Sequence, residues 1–147
     1  MTGKPINEIV EELKLNYPLV ELSEAGQIIL PENNLRELMG QLKDKYGLNF
    51  LTNLTATDYL EYFEVIYNLS IIGQSDMVHV KVKVDRNNPV VPSMVPIWGG
   101  AIWQEREVYD LLGITFTDHP DLRRILLADD WEGHPLRRDY QWEGGRD

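Results

Sequence analysis

Residues 77–85, MVHVKVKVD, alternate without a break. Val78, Val80, Val82 and Val84 fall on one side; His79, Lys81, Lys83 and Asp85 fall on the other. Successive side chains of a strand point to opposite faces, so this pattern predicts a strand with one dry face and one wet face. A sheet built on such a strand needs cover on one side only. The cover is expected from helices. Ile6, Ile9, Val10 and Leu13 recur at helical spacing over residues 5–16, with Pro5 in the first turn and Pro18 after the end. Leu35, Leu38, Met39 and Leu42 mark a second helix running to Tyr46, with Gly47 as its stop. Between them, residues 19–22 and 27–30 flank Ser23 to Gly26 and read as a hairpin. Phe50–Asp58 and Tyr62–Ile71 are two further strands, the second more evenly apolar and therefore more central.

The order is helix, two strands, helix, three strands. The expected class is α+β, two-layer, with helices packed on one mixed five-stranded sheet. Residues 86–100, rich in Pro and Gly, read as a loop, and Gly100–Leu112 as a third helix ended by Gly113. Beyond it, Pro120, Pro135 and scattered acids leave little regular pattern, so an extended irregular C-terminal tail is expected. The chain thus divides into an α+β domain at 1–114 and an extended segment at 115–147 that packs on the domain or on a partner. A tail this long inside a compact chain is functional or disordered. Leu122, Ile125, Leu126, Leu127 and Trp131 argue against disorder, because they need cover.

The two parts use different cations. Residues 101–147 hold six Arg and no Lys; residues 1–100 hold six Lys and two Arg, Arg36 and Arg86. Trp98, Trp103, Trp131 and Trp142 are the four tryptophans. Arg is favoured where a planar fork grips carboxylates or stacks on rings, and Trp with Arg anchors protein contacts. The net charge is −10, from 8 cations against 13 acids in residues 1–100 and 6 against 11 in 101–147. No basic face emerges, which argues against nucleic acid and against direct docking on anionic lipid. There is no cysteine, hence no disulfide, no thiol nucleophile and no conventional iron–sulfur cluster in this chain. The N-terminus has neither signal-peptide nor transit-peptide character. The longest apolar stretch, 90–103, is broken by Pro92, Pro96, Gly99 and Gly100 and is too short to span a bilayer.

Three kinds of chemistry are open to the C-terminal third. On the helix, Arg106 and Asp110 are i,i+4 and Glu107 and Asp110 are i,i+3, so local surface ion pairs are one reading. The favoured one has Glu105, Arg106, Glu107 and Asp110 pairing with the tail's arginines or with a neighbouring subunit; catalytic carboxylates are the least favoured. His119 and His134 stand beside Asp118, Asp121, Asp129 and Asp130, which raises a metal site or a His–Asp base. Their spacing fits no compact ligand motif, and each is read as fixing a turn. Arg123–Arg124 and Arg137–Arg138 are read as gripping acidic side chains; no glycine-rich phosphate loop accompanies them, so NAD binding is not expected.

Four blocks in order carry a family resemblance. They are Trp103-Gln104-Glu105-Arg106-Glu107, Tyr109-Asp110-Leu111-Leu112-Gly113-Ile114, His119-Pro120-Asp121-Leu122-Arg123-Arg124-Ile125-Leu126, and Gly133-His134-Pro135-Leu136-Arg137-Arg138-Asp139-Tyr140. Together they resemble the signature of the 30-kilodalton subunit of respiratory complex I, known in bacteria as the C subunit of the NADH–quinone oxidoreductase. Ile102 and Gln141 depart from that signature. The resemblance implies a cofactor-free structural subunit in the peripheral arm of a proton-pumping NADH:quinone oxidoreductase. It implies docking to the large quinone-site subunit, the 49-kilodalton type, with iron–sulfur clusters and FMN in partner subunits. It implies attachment to the cytoplasmic face of a bacterial or archaeal membrane through partners alone. The motif positions, with Trp103 and Trp131, are then folding and interface residues rather than catalytic ones. An equivalent subunit of a membrane-bound energy-converting hydrogenase is the alternative, and a free-standing His/Asp enzyme the remote one.

Overall fold

A computed structural model describes residues 5–74, 76–127 and 131–139. Helix α1 (Ile6–Lys14) is followed by strands β1 (Glu21–Leu22) and β2 (Ile28–Leu30), helix α2 (Leu35–Asp44), and strands β3 (Phe50–Asp58), β4 (Tyr62–Ser70) and β5 (Met77–Asp85). The sheet order is β1-β2-β5-β4-β3, with β2 parallel to β5 and the other neighbours antiparallel. β4, expected to be central, lies between β5 and β3.

The register sets the dry face. Val80 pairs with Tyr67 and Ile28, Val82 with Val65 and Leu30, and Val84 with Phe63, all at 0–1% exposure. Leu51 and Leu54 are three residues apart yet both are buried in the same core. A register shift between Leu51 and Asn53 makes this possible, because a bulge adds one residue to the alternation. Leu35, Leu38, Met39 and Leu42 of α2 and Ile9, Val10 and Leu13 of α1 close over this face. Each large side chain fully buried there contributes about 1.5–3 kcal/mol. The opposite face carries Glu64, Asn68, His79, Lys81 and Lys83, with Lys81 Nζ 3.4 Å from Glu64 Oε1.

One expectation is corrected after β5. Residues 86–100 are not a plain loop, and the segment after 114 is not irregular from its start. β6 (Val90–Pro92) pairs in parallel with β7 (Thr115–Thr117), forming a second, two-stranded sheet. Three-residue strands are too short to show alternation, and this pairing spans more than twenty residues of sequence. Val91 and Phe116, opposite each other, are buried. Between them runs α3 (Ala101–Leu112), which packs beside β3, an edge strand. Gln104 Oε1 accepts the Leu54 backbone N–H at 2.5 Å, and Trp98 Nε1 donates to the Leu48 carbonyl at 3.0 Å. α3 thus covers part of an edge that would otherwise be open to pairing.

Candidate functional site

The last turn of a helix leaves carbonyls without partners and a partial negative charge. α3 has no basic residue in its last turn. The tail supplies both missing elements. The Asp110 carbonyl accepts His134 Nδ1–H and Arg124 Nη1–H, each at 3.0 Å. The Leu111 carbonyl accepts the Leu136 N–H at 2.9 Å, and the Leu112 carbonyl accepts Arg137 Nε–H at 2.7 Å. Gly113 makes room for this clamp. Its φ is +79°, and a Cβ there would meet His134 Cδ2 at 2.6 Å and an Arg137 guanidinium nitrogen at 2.7 Å.

Asp110 is the hub. Its carboxylate is fully buried. One oxygen accepts Arg124 Nη1–H at 2.7 Å; the other accepts the consecutive N–H groups of Ile125, Leu126 and Leu127 at 3.1, 2.7 and 3.0 Å. Burial alone raises a carboxyl's pKa, but here the amides and the guanidinium outweigh it and hold Asp110 below its ordinary value. Arg106, one turn away and its partner in the local-pair reading, turns elsewhere. It donates to the carbonyls of Arg123 and Arg124 at 3.1 Å each and lies 5.0 Å over the Trp103 ring. The less favoured reading, a solvated ion pair on this helix face, is therefore not what forms; both side chains are buried and each grips the tail separately, Asp110 through Arg124 as the favoured reading has it.

A second clamp, which sequence reasoning missed, closes on Asp58 at the end of β3. Asp58 Oδ1 accepts from the Arg86 guanidinium and from the Leu60 N–H, and Oδ2 accepts the Arg138 N–H at 2.7 Å. Arg86 also reaches Asp139 at 3.0 Å. The guanidiniums of Arg86 and Arg137 lie 5.0 and 5.2 Å from the Phe63 ring centre. Arg36, the other early arginine, donates to the Ser93 carbonyl at 2.8 Å and stands 3.6 Å from Asp118. The signal was present: these are the two arginines in a region otherwise served by lysine. Burial raises the Asp58 carboxyl, and the Arg138 amide, Arg86 and the Leu60 amide more than offset this, so its pKa is lowered. Stability from Asp58 and Asp110 is therefore full above their unfolded value, about 3.9, and is lost as pH falls through their lower folded values. Replacing Asp58 by Asn is expected to cost about 2–3 kcal/mol at neutral pH, since charged hydrogen bonds are lost while Asp139 still meets Arg86. Acid unfolding followed by circular dichroism checks it: the Asn variant should lose part of the stability slope below pH 4.

The remaining candidates are placed as follows. His119 Nδ1 accepts the Asp121 N–H at 2.9 Å, so Nε2 carries the proton and donates to the Ile102 carbonyl at 2.9 Å. Burial lowers the His134 pKa, despite the bond to the Asp110 carbonyl that favours its charged form. The Tyr109 and His134 rings are tilted at 6.3 Å. Arg123 is exposed and pairs with Asp121 at 3.0 Å. Pro120 is exposed, Pro135 and Trp131 are half-buried, and Gly133 takes φ +85°. Among the described residues no group of three His, Cys, Asp or Glu is placed to hold a metal ion. Tyr140 lies outside the described residues. Glu105 is a correction: among the described residues it meets no tail arginine. It is fully buried and accepts the Ser93 hydroxyl at 2.6 Å and the Met94 N–H at 2.7 Å.

What faces solvent is a stripe. Trp103, 57% exposed, Glu107 and Leu111 follow at i, i+4, i+8 on one side of α3. Leu136, 59% exposed, flanks a shallow groove of about 140 Å³ that Glu107, Leu111 and β3 also line.

A family model for the respiratory-chain NADH dehydrogenase 30 Kd subunit matches residues 28–146. The chain is 43% identical over 147 residues to the C subunit of the NADH-quinone oxidoreductase of Moorella thermoacetica, covering 95% of this chain and 99% of that protein. Its fold is similar to that of a trypsin-resistant fragment of Nqo5, with TM-score 0.67 and 34% identity, over 81% of this chain and 100% of that one. It is also similar to a chain of the membrane-bound sulfane sulfur reductase, an archaeal respiratory membrane complex, with TM-score 0.76 over 92% of this chain and 85% of that one. At 23% identity, that second likeness is one of fold.

Proposed function

Since the chain belongs to the family of the 30-kilodalton subunit of respiratory-chain NADH dehydrogenase, and is thus a subunit of a multisubunit NADH–quinone oxidoreductase, we propose that it is a cofactor-free scaffold of the peripheral arm. In this reading it docks the large quinone-site subunit and supports electron transfer to quinone in a proton-pumping assembly. The electrons pass through iron–sulfur and flavin centres in partner subunits. Membrane attachment, on the cytoplasmic face, is made by those partners. The absence of cysteine supports a chain without a cluster. Among the described residues no helix is long and apolar enough to cross a membrane.

The observation that carries the reading is the division of labour within the motif. Arg106, Asp110, Arg124 and Arg137 are engaged by the chain's own backbone and side chains. Trp103, Glu107, Leu136 and Arg138 are left exposed on or beside α3. Trp103, exposed and steadied from below by the Arg106 guanidinium, is the kind of residue that anchors an interface. The clamps hold residues 118–127 and 131–139 against the domain, and in this reading these segments and the α3 stripe together form the docking surface.

Substituting Trp103, Glu107 or Arg138 by Ala is expected to change the chain's own stability by less than about 1 kcal/mol, as for surface positions. Recovery of the assembled complex in detergent should fall severalfold. Blue-native gels with in-gel NADH oxidation read this out. Full assembly by all three variants would remove the docking claim. The alternative reading is an equivalent subunit of an energy-converting hydrogenase or related dehydrogenase.

A further inference from the structure

Glu105 and Asp110 sit on the same helix, both fully buried, yet their carboxylates are held differently. Asp110 has a guanidinium and three amides. Glu105 has two neutral donors, the Ser93 hydroxyl and the Met94 N–H. No cation makes a hydrogen bond to it among the described residues. His119 Nε2 is 3.9 Å from Oε1, beyond hydrogen-bond reach, with Nδ1 accepting from the Asp121 N–H and Nε2–H directed at the Ile102 carbonyl. From α2, Arg36 turns its Nη2 to the Ser93 carbonyl and its Nη1 to Asp118, and acts on Glu105 only through space. From β4, the Tyr67 hydroxyl is fully buried and makes no hydrogen bond among the described residues, and burial and the Glu105 charge both oppose its ionisation.

A buried carboxylate with neutral partners has an accessible second state. Ser93 Oγ already accepts the Val95 N–H at 3.1 Å and has a second lone pair. If Oε1 takes up a proton, the Ser93 hydroxyl can turn its own hydrogen to the position of its free lone pair and accept from Oε1–H at the same 2.6 Å, while Oε2 keeps the Met94 N–H. Only hydrogens move. We propose that Glu105 is a proton-operated latch between α3 and the strap at residues 93–94, tightening the strap's seat as the medium is acidified. Burial, opposed by the Met94 and Ser93 bonds and by Arg36, pushes the carboxyl up from 4.5 to about 7. A group whose folded pKa is raised gives stability that is full below its unfolded value and is lost as pH rises through the folded one. The strap's opening constant should therefore rise close to tenfold per pH unit between about 4.5 and 7.

The test is carbon-13 NMR of the Glu side-chain carboxyls in the full chain, titrated from acid to mildly alkaline pH, with amide exchange read alongside. The Glu105 carboxyl should titrate near neutrality, and the Met94 amide shift should follow the same curve. Met94 exchange, corrected for intrinsic chemistry, should show the steep pH dependence in the parent chain and none in Glu105→Gln. Ser93→Ala removes a donor to the charged form and should move the midpoint higher; it keeps the test open if Glu105→Gln does not fold. A Glu105 midpoint below 5, a Met94 amide indifferent to it, or a Ser93→Ala midpoint that falls would each overturn the latch.

Discussion

Asp110→Asn should lower the unfolding free energy by about 3–5 kcal/mol, the largest loss expected of any single isosteric change in this chain. Asn has one acceptor oxygen where the carboxylate has two, and its amide would face the Arg124 guanidinium donor to donor. Arg124 would be left as a mostly buried charge without its partner, and three consecutive amides would share what remains. Breaking one side of a buried pair is costly because the other side stays desolvated. A domain of this size has a total of about 5–15 kcal/mol, so the variant should be partly unfolded at physiological temperature. Urea denaturation followed by tryptophan emission measures it. Arg124→Leu makes the informative comparison, since Asp110 then keeps three amide donors and the loss should be smaller. A loss below about 1 kcal/mol in Asp110→Asn, the size of an ordinary surface change, would mean that the carboxylate is not the hub.

Gly113→Ala should cost about 2–5 kcal/mol, from roughly 1–2 for a left-handed residue with a Cβ and about 1–3 for forced repacking. The contacts decide the size. The new methyl would overlap His134 and Arg137, two of the groups that cap α3. Gly26 supplies the control: its φ is +82° and a Cβ there meets nothing within 4 Å. Gly26→Ala should carry the backbone cost alone. The excess of Gly113→Ala over Gly26→Ala therefore reports the tail clamp, and faster tryptic cleavage at Arg137 should accompany it. Equal costs at the two glycines would show that the tail does not rest on α3 in solution.

Much of the sheet layer was legible because its physics is local. The valine alternation of β5, the four core positions of α2 and the even apolarity of β4 each depend on residues near in sequence. β6 and β7 were not legible: three residues carry no period, and each is a strand only because the other lies beside it. The bulge in β3 hides the kinship of Leu51 and Leu54, since a spacing of three places two residues on opposite faces of a regular strand. For the site, the exchange of Lys for Arg pointed to groups that grip, and Arg106, Arg124 and Arg137 do bond carboxylates, carbonyls and rings. Their partners were hidden. Arg106 and Arg137 bind main-chain carbonyls, which every residue possesses, so no sequence signal marks them. Asp58 reads as an ordinary strand end until the tail returns to it from eighty residues away. Glu105 was expected to meet arginine because its motif neighbours are charged; its true partners, Ser93 and Met94, lie in what read as a loop.

A scaffold inside a larger oxidoreductase must be found with its neighbours. The direct check is to tag the chain in its native cell, solubilise membranes in mild detergent and identify what co-purifies by mass spectrometry. The scaffold role predicts cluster-carrying subunits together with a large quinone-site subunit, in an assembly that oxidises NADH. Nickel-ligating partners would place the chain in the hydrogenase branch instead. Recovery of the chain alone, outside any assembly, would contradict the scaffold role.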